Sequence, residues 1–254
     1  MKILLSPAKS INEDVKIDGI TSVPIFEDEA EKLVNQLKKL SAKKIADLMS
    51  VSTELAQIND YRFKNWSKAN SSKQVQYLQA LRAFSGEVYR GFDANSLKED
   101  QYESVQSSIR ILSGLYGILK PFDLISPYRL EMGTKYSPNS KNKNLYEFWS
   151  NKLTKHLLDQ LETNEPIINL ASTEYSKAIN FKSISNPTIT PIFKEFKNGK
   201  YSIVMMYAKQ QRGKMARFLV DKPLMEIEDL KTYHLDGYSF DEKLSTEKEW
   251  VFIR

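Results

Sequence analysis

The segment KILLSPAK, residues 2–9, contains the run that points to the class of fold. Lys2–Leu5 is a short, mostly apolar stretch that ends at Ser6 and Pro7, and this pattern predicts a buried strand. Ligands of open α/β sheets collect at the carboxyl ends of the strands. Ser6 and Lys9 are therefore candidates for a hydroxyl and a cation that contact an anion.

A second segment, PIINLASTEY at residues 166–175, repeats this arrangement. Its apolar half predicts another strand. Its small and polar half places Asn169, Ser172 and Glu174 where the end of that strand would present them. The two segments together predict a sheet with polar side chains gathered at one edge.

The remaining patterns predict helices and further strands around this sheet. Apolar residues recur at helical spacing in several stretches, and one more helix, rich in basic residues, begins near Gln210. The helical stretches are residues 27–40, 42–49, 101–112 and 146–161. Strand patterns flank the hairpin signal Asn198-Gly199 and recur near the C-terminus. These strands cover residues 190–196, 200–207, 235–240 and 250–253.

No Gly/Ser/Pro-rich linker divides the chain of 254 residues. One unit is the default for this length. We therefore predict a mixed α/β fold with a single domain over residues 1–254, in which helices surround a mixed β-sheet.

The composition excludes several classes of site. The chain has no cysteine, which removes disulfides, thiolate nucleophiles and cysteine-ligated zinc or iron–sulfur centres. His156 and His234 are its two histidines, so any metal site would depend on carboxylates. We predict no metal and no cofactor. The N-terminus lacks a signal-type apolar core and no apolar run is long enough for a bilayer, which predicts a cytoplasmic protein with no membrane partner.

Positive charge is concentrated in one stretch of the chain. The formal net charge is +5, but residues 193–217 carry +6 and leave −1 for the rest. A localised basic region favours a polyanionic partner, such as nucleic acid or a phosphorylated ligand, although an exposed solubilising surface has the same composition. Lys209, Arg212, Lys214 and Arg217 are the candidate anion-binding residues. The expected start of the basic helix places Arg212 near a helix N-terminus, and Lys214 and Arg217 share a helix face.

The stretch LSGLYGILKPFDLISPYRLEMG, residues 112–133, combines glycine, proline, aromatic and ionisable residues at high density. Gly114 and Gly117 permit close backbone approach, and two prolines fix φ. We expect these glycines, with Tyr116 and Tyr128, to shape a cleft. Charged side chains also occur here, and Arg129 and Glu131 are candidates for anion binding and for general acid/base catalysis. Two tight turns with surface ion pairs would produce the same composition.

Residues 42–58 resemble a helix-hairpin-helix element in the spacing of their apolar, small and alanine positions. The hairpin of that motif prefers Pro and Gly where Met49, Ser50 and Ser52 stand here. If the hairpin forms, its N–H groups and the helix that follows would contact the DNA backbone without reading bases. A plain packing pair of helices is the alternative.

Aromatic and basic residues also alternate in DYRFKNW, residues 60–66. Surfaces that track a nucleic-acid backbone and stack on bases have this composition. Amphipathic packing explains it equally well.

Eight ordered motifs together resemble the YaaA family of peroxide stress proteins, and the likeness extends over nearly the whole chain. The motifs are SPAK at 6–9, FSGEVYRG at 84–91, LSGLYGILKPFD at 112–123, PYRLEMG at 127–133, LYEFW at 145–149, NLASTEY at 169–175, YAKQQRGKMAR at 207–217 and GYSF at 237–240.

The resemblance implies a cytosolic protein that limits oxidative DNA damage by keeping free intracellular iron low during peroxide stress. It also implies DNA binding, a helix-hairpin-helix element and an unusual α/β fold with a basic cleft. No catalytic residue is carried over from the family to a position of this chain.

The residues and the resemblance lead to two hypotheses about function. The first is binding of double-stranded DNA, largely without sequence preference, by Ser6, Lys9, Ser50, Ser52, Arg129, Lys209, Arg212, Lys214 and Arg217. The second is an enzyme that acts on a nucleotide or nucleobase in a basic cleft, with Glu131 as acid/base and cations that hold the phosphate. An interaction protein without catalysis is a third reading.

Overall fold

The central sheet is built around three short, buried strands that lie side by side and run parallel. In the computed structural model, which describes residues 1–69, 76–222 and 226–254, Lys2–Leu5 pairs with Ile109–Ser113 on one side and with Ile167–Asn169 on the other. Their side chains are mostly apolar and buried, as expected of parallel strands that are covered on both faces. The predicted strand over residues 2–5 is confirmed.

The strands are numbered β1 to β12 in chain order within the described ranges. They are β1 Lys2–Leu5, β2 Ser10–Ile11, β3 Leu78–Gln79, β4 Phe84–Ser85, β5 Ile109–Ser113, β6 Gly117–Leu119, β7 Leu124–Ile125, β8 Ile167–Asn169, β9 Thr188–Lys197, β10 Lys200–Ser202, β11 Ser239–Asp241 and β12 Glu249–Ile253.

Eight of these strands form one mixed sheet. Seven strands lie in the order β11-β12-β9-β8-β1-β5-β6, and the eighth, β10, pairs with the end of β9. The five central strands from β12 to β5 run parallel, whereas β6, β10 and β11 are antiparallel to their neighbours. β2 pairs with β4, and β3 with β7, in two small ladders. The predicted mixed α/β fold is confirmed.

The helices are numbered α1 to α9 in the described part of the chain. They are α1 Glu27–Leu37, α2 Ala42–Met49, α3 Thr53–Asn65, α4 Ala80–Ala83, α5 Glu87–Phe92, α6 Tyr102–Ser108, α7 Leu145–Leu158, α8 Thr173–Ser176 and α9 Met205–Asp221.

The helices pack against the sheet and share its hydrophobic core. α6 contacts β1, α7 contacts β6 and α9 contacts β9. Buried side chains from strands and helices, such as Leu4, Leu33 and Trp149, belong to one continuous cluster. The described parts of the chain therefore form a single compact unit around one core.

Several predicted elements are confirmed by the structure. α2 matches the predicted range, and the Ser41 hydroxyl accepts a hydrogen bond from the backbone N–H of Lys44 at 3.4 Å, which caps the helix. The hairpin between β9 and β10 turns at Asn198 and Gly199, with φ of 53° and 76°, the left-handed conformation that this pair favours. The two C-terminal strands pair as expected.

Two helix boundaries were predicted wrongly. The helix expected over 101–112 ends at Ser108, because the apolar residues that follow belong to β5. β5 is fully buried and has apolar residues on both faces. In the sequence, a short apolar run of this kind resembles part of a buried helix. The basic helix begins at Met205, five residues before the expected start, since Met, Ala, Lys and Gln all favour helix. The strand predicted over 200–207 therefore ends at Ser202.

Candidate functional site

The carboxyl ends of β1 and β8 meet through two serines that are far apart in sequence. The backbone N–H of Ser172 donates a hydrogen bond to Ser6 Oγ at 2.8 Å, and the two hydroxyl oxygens lie 3.2 Å apart. The Tyr89 hydroxyl donates to the carbonyl oxygen of Ser6 at 2.9 Å. Burial raises the pKa of the Tyr89 phenol well above its usual value, which keeps this donor protonated. The two strand ends are thus locked together, as the repeated sequence pattern predicts.

A cleft of about 340 Å³ opens at this edge of the sheet. Its walls come from the two strand ends, the start of α5, the segment that contains Glu131, and α9. It is lined by Ser6, Pro7, Ala8, Lys9, Ser10, Ser85, Gly86, Glu87, Val88, Tyr89, Glu131, Leu170, Ser172, Glu174, Tyr175, Lys209 and Arg212. Pockets of this size accommodate small ligands in other proteins.

Arg212 is the distinctive charge of this cleft. Its side chain is half-buried, and burial lowers the pKa of its guanidinium. This guanidinium forms no ion pair and no hydrogen bond with any of the described residues. A desolvated cation without a carboxylate is costly, so its environment favours an anionic ligand. Lys209, three residues earlier on α9, is exposed and lines the same cleft.

Glu131 already has two cationic partners. Arg129 donates two hydrogen bonds to Glu131 Oε1, from Nε at 3.1 Å and from Nη2 at 2.9 Å. Lys9 Nζ lies 3.6 Å from the same oxygen. The charge of Arg129 is therefore compensated within the protein, and Arg129 itself is not among the residues that line the cleft. Lys9 remains largely exposed and can contact a ligand as well.

α5 and α9 approach so closely that two glycines are required between them. A Cβ atom on Gly213 would lie 1.8 Å from the carbonyl oxygen of Val88, and one on Gly91 would lie 2.2 Å from that of Gln210. This packing sets α9 against the cleft, with Arg212 directed into it. The contact was missed at the sequence level, although both glycines lie in motifs that the resemblance highlighted.

The helix pair α2 and α3 lies beside the cleft. Residues 47–50 line a neighbouring depression of about 510 Å³, which also includes Lys9, Glu131 and Glu174. Ser50 adopts the left-handed conformation between the helices, and the Ser52 hydroxyl caps α3 by accepting from the N–H of Leu55 at 3.4 Å.

The start of α3 carries a negative charge of its own. A hydrogen bond from Ser52 lowers the pKa of the Glu54 carboxyl, in the first turn of the helix. This carboxylate occupies the region where a helix N-terminus attracts an anion. The turn between α2 and α3 therefore has its hydroxyl and N–H groups close to the Glu54 carboxylate.

Lys214 and Arg217, which are also predicted to bind anions, form ion pairs within the protein. Lys214 Nζ lies 2.6 Å from Asp236 Oδ2, and Arg217 Nε lies 2.8 Å from Asp221 Oδ1. Arg217 also donates to the carbonyl oxygen of Asp93 at 3.0 Å. The expectation that Arg212 lies near a helix N-terminus is wrong, because α9 begins seven residues before it.

The residues expected to shape the cleft lie behind it. Tyr116 and Tyr128 are buried in the core, where the hydroxyl of Tyr128 is 2.6 Å from that of Ser113. Gly114 approaches the segment that holds Glu131, since a Cβ atom there would lie 2.2 Å from the carbonyl oxygen of Leu130. Gly117 has a φ of +71° and packs against the indole of Trp149, which also excludes a side chain.

The described residues also bear on metal binding and on membrane crossing. In residues 1–69, 76–222 and 226–254, no group of three or more His, Cys, Asp or Glu side chains is arranged to hold a metal ion. No helix in these same ranges combines the length and the apolar character that crossing a bilayer requires.

Comparison with known sequences gives a match along the chain. Residues 1–244 match the family profile described as peroxide stress protein YaaA. A UPF0246 protein of Shewanella oneidensis is 45% identical over 257 aligned positions, covering 100% of this chain and 99% of the relative. A UPF0246 protein of Burkholderia cenocepacia is 42% identical, covering 100% and 98% of the two chains.

Proposed function

Because the chain belongs to the peroxide stress protein YaaA family, we propose that it binds double-stranded DNA in the cytoplasm, largely without sequence preference. In this role it helps to limit oxidative DNA damage and free intracellular iron during peroxide stress. The single observation that carries the proposal is the pair Lys209 and Arg212, two cations without recorded acidic partners among the described residues at one edge of the sheet.

Phosphate is the part of DNA that these cations fit. Lys209 and Arg212 lie on one face of α9, and the exposed Lys9 lines the same cleft. Contacts of this type position a protein on the duplex and carry little sequence information. They also release counterions, so binding weakens steeply as salt increases.

The pair α2–α3 provides a second surface for the backbone. Lys43 and Lys44 are exposed on α2, and Ser50 and Ser52 are at the turn that follows it. The neighbouring depression connects this turn to Lys9. In the proposed complex, one strand of the duplex contacts the cleft and continues past the α2–α3 turn.

A salt titration of duplex binding tests the proposal. Fluorescence polarisation with two unrelated 20-base-pair duplexes should give similar affinities at two salt concentrations. The double variant K209Q/R212Q should lower the slope of log K against log salt by about 1.8, since each phosphate contact contributes about 0.9. The matched control K243Q/K248Q removes the same charge from two exposed lysines in the segment before β12, at the opposite edge of the sheet.

The control variant should bind like the parent protein. Equal slopes for K209Q/R212Q and for the control would contradict the proposal. A strong preference for one of the two duplexes would contradict its sequence-independent part.

A specific observation favours a second candidate, an enzyme that acts on a nucleotide or nucleobase. Arg212 is recessed in a cleft that also contains the Ser6 hydroxyl and the Glu131 carboxylate. In this reading Arg212 and Lys9 hold the phosphate and Glu131 transfers a proton. The variant E131Q would then abolish protection of peroxide-treated cells without weakening DNA binding, whereas survival equal to that of the parent strain would exclude this role.

A further inference from the structure

The cleft at the ends of β1 and β8 becomes more buried from its mouth to its floor. Lys9 and Lys209 are exposed at the mouth. Ser6, Tyr89 and Leu170 are at most 9% exposed and form the floor. The volume of about 340 Å³ is that of a small-molecule pocket, and an intact duplex, whose major groove alone is about 12 Å wide, is too large to enter it. A group that reaches the floor must therefore be a small molecule or the end of a chain.

The Ser172 hydroxyl is a hydrogen-bond donor beside this floor. Ser6 Oγ accepts from the backbone N–H of Ser172 at 2.8 Å and donates its own proton to Ser172 Oγ at 3.2 Å. The proton of the Ser172 hydroxyl then has no acceptor within the described ranges. Ser172 precedes α8, yet its side chain does not cap that helix, which is the usual task of a serine at this position. The hydroxyl is thus available to a ligand.

Arg212 is a second donor that has no acceptor in the described part of the chain. The two carboxylates nearest to it in the lining have other partners. Glu131 accepts from Arg129 at 2.9 Å, and Glu174 accepts from the backbone N–H of Gly133 at 2.9 Å. A guanidinium can donate two parallel hydrogen bonds to the oxygens of one phosphate. The cation and the hydroxyl together therefore fit an anionic group that only accepts hydrogen bonds.

Small apolar and aromatic side chains form much of the remaining wall. They are Pro7, Ala8, Val88, Tyr89, Leu170 and Tyr175. Inorganic phosphate gains nothing from such a surface, whereas a nucleoside buries its sugar and base against it. A ligand with a phosphate at one end and a nucleoside beside it uses both parts of the cleft.

We propose that the cleft binds a nucleotide by its terminal phosphate, held by Arg212 and the Ser172 hydroxyl, and that this nucleotide is the phosphorylated end of a DNA strand or a free mononucleotide. A terminal phosphate has a charge of about −1.5 to −2 and three acceptor oxygens, whereas a phosphate within the backbone carries a single charge. For the strand end, the inference rests on the proposed function and specifies the form of DNA that the site prefers.

The surroundings of the cleft leave a path for the rest of such a strand. Lys9 and Lys209, exposed at the mouth, can contact the phosphates that follow the terminal one. The neighbouring depression shares Lys9 with the cleft and extends to Ser50 in the α2–α3 turn. A strand whose end lies on the floor therefore leaves along the surface already proposed for the DNA backbone.

The test compares duplexes of one sequence that differ only at their ends. The ends carry a 5′-phosphate, a 3′-phosphate or hydroxyls alone, and a fourth duplex is closed by a hairpin loop at both ends. Fluorescence polarisation with an internal label measures the affinities. At least one phosphorylated duplex should bind about tenfold more tightly than the hydroxyl-ended and closed duplexes, since hydrogen bonds to a charged group are the stronger kind. Equal affinity for all four would overturn the inference.

Substitutions on the floor should remove this advantage. S172A, like R212Q, should bind the phosphorylated and hydroxyl-ended duplexes almost equally, and S172A should keep the affinity of the parent protein for the closed duplex. S107A is the matched control, because the exposed Ser107 hydroxyl donates to the carbonyl oxygen of Ser104 and does not line the cleft. The control should behave like the parent protein. A full phosphate advantage in both S172A and R212Q would overturn the inference.

Competition against the phosphorylated duplex separates the two sources of the ligand. Displacement by dAMP at much lower concentrations than by deoxyadenosine or inorganic phosphate would show that free nucleotides enter the site as well. An intact phosphate advantage that dAMP does not diminish would assign the site to strand ends. Inorganic phosphate as effective as dAMP would overturn the claim that the cleft recognises a nucleotide.

The same measurements distinguish failure of the inference from failure of the proposed function. Equal, salt-dependent binding of all four duplexes rejects the inference alone. Absence of binding to every duplex rejects the proposed function, and calorimetry with dAMP then decides the inference. Binding of dAMP that R212Q abolishes would support a nucleotide site, and absence of dAMP binding would overturn it.

Discussion

The two ends of α9 carry the same charges and use them differently. Lys209 and Arg212 face the cleft without recorded acidic partners among the described residues, whereas Lys214 and Arg217 pair with Asp236 and Asp221. Each of these four residues contributes one positive charge to the formal net charge of the chain. A basic stretch of sequence therefore shows where the cations are, whereas the tertiary structure decides which of them a ligand can use.

The largest effect should come from the glycine that positions the helix. In G213A the new Cβ would lie 1.8 Å from the carbonyl oxygen of Val88 and 2.8 Å from the N atom of Phe92, so α5 and α9 must separate. We expect a loss of about 3 kcal/mol in the free energy of unfolding, measured in urea. The control G86A, whose Cβ would be 3.4 Å from Ala8 Cβ, should cost far less; an equally small cost for G213A would contradict the close contact.

A matched pair of arginine variants should separate the two ends of α9. Arg217 donates to the carbonyl of Asp93, to the Ser96 hydroxyl at 2.6 Å and to Asp221. R217Q should therefore lower the free energy of unfolding by about 2 kcal/mol and leave duplex affinity nearly unchanged. R212Q removes the same charge and should do the reverse, with unchanged or greater stability and weaker DNA binding. Similar behaviour of the two variants would remove the distinction between the two ends of α9.

Releasing Lys214 from its partner should have a smaller effect. Asp236 has a φ of 55°, a conformation that asparagine tolerates well. D236N leaves the backbone intact and frees the ammonium of Lys214, two residues after Arg212 in the sequence of α9. The slope of log K against log salt should steepen by at most about 0.9, and a shallower slope in salt titrations would contradict this account.

The same pair should give a modest dependence of stability on pH. The hydrogen bond from Lys214, followed by that from Gln211, lowers the pKa of the Asp236 carboxyl below its usual value. A depressed carboxyl pKa adds stability above the pKa of the unfolded chain, and this contribution disappears as the pH falls through the folded pKa. The difference in urea midpoint between the parent protein and D236N should thus shrink below about pH 4. A difference that is constant from neutral to acid pH would show that the charge of Asp236 plays no part.

Local patterns were sufficient to predict one edge of the sheet. Ser6 and Ser172 follow short apolar runs, and the carboxyl ends of adjacent parallel strands must lie together. The hairpin at Asn198 and Gly199 was equally clear, because its two residues favour a conformation that few others adopt.

Long-range contacts were beyond the sequence patterns. Asp236 reaches Lys214 from 22 residues away, and no periodicity connects the two. The close approach of Gly91 to Gln210 depends on how two helices cross. The boundary between α6 and β5 was missed since burial on both faces of a strand removes the alternation that identifies it.

Acetylation of each lysine, followed by mass spectrometry with and without duplex DNA, tests directly whether the cleft end of α9 binds DNA. We expect DNA to protect Lys209 and Lys9, while the reactivity of Lys214, paired with Asp236, and of the distant Lys248 stays unchanged. If Lys209 remains fully reactive at saturating DNA, or if Lys248 is protected in its place, the cleft end of α9 is not the surface that binds DNA.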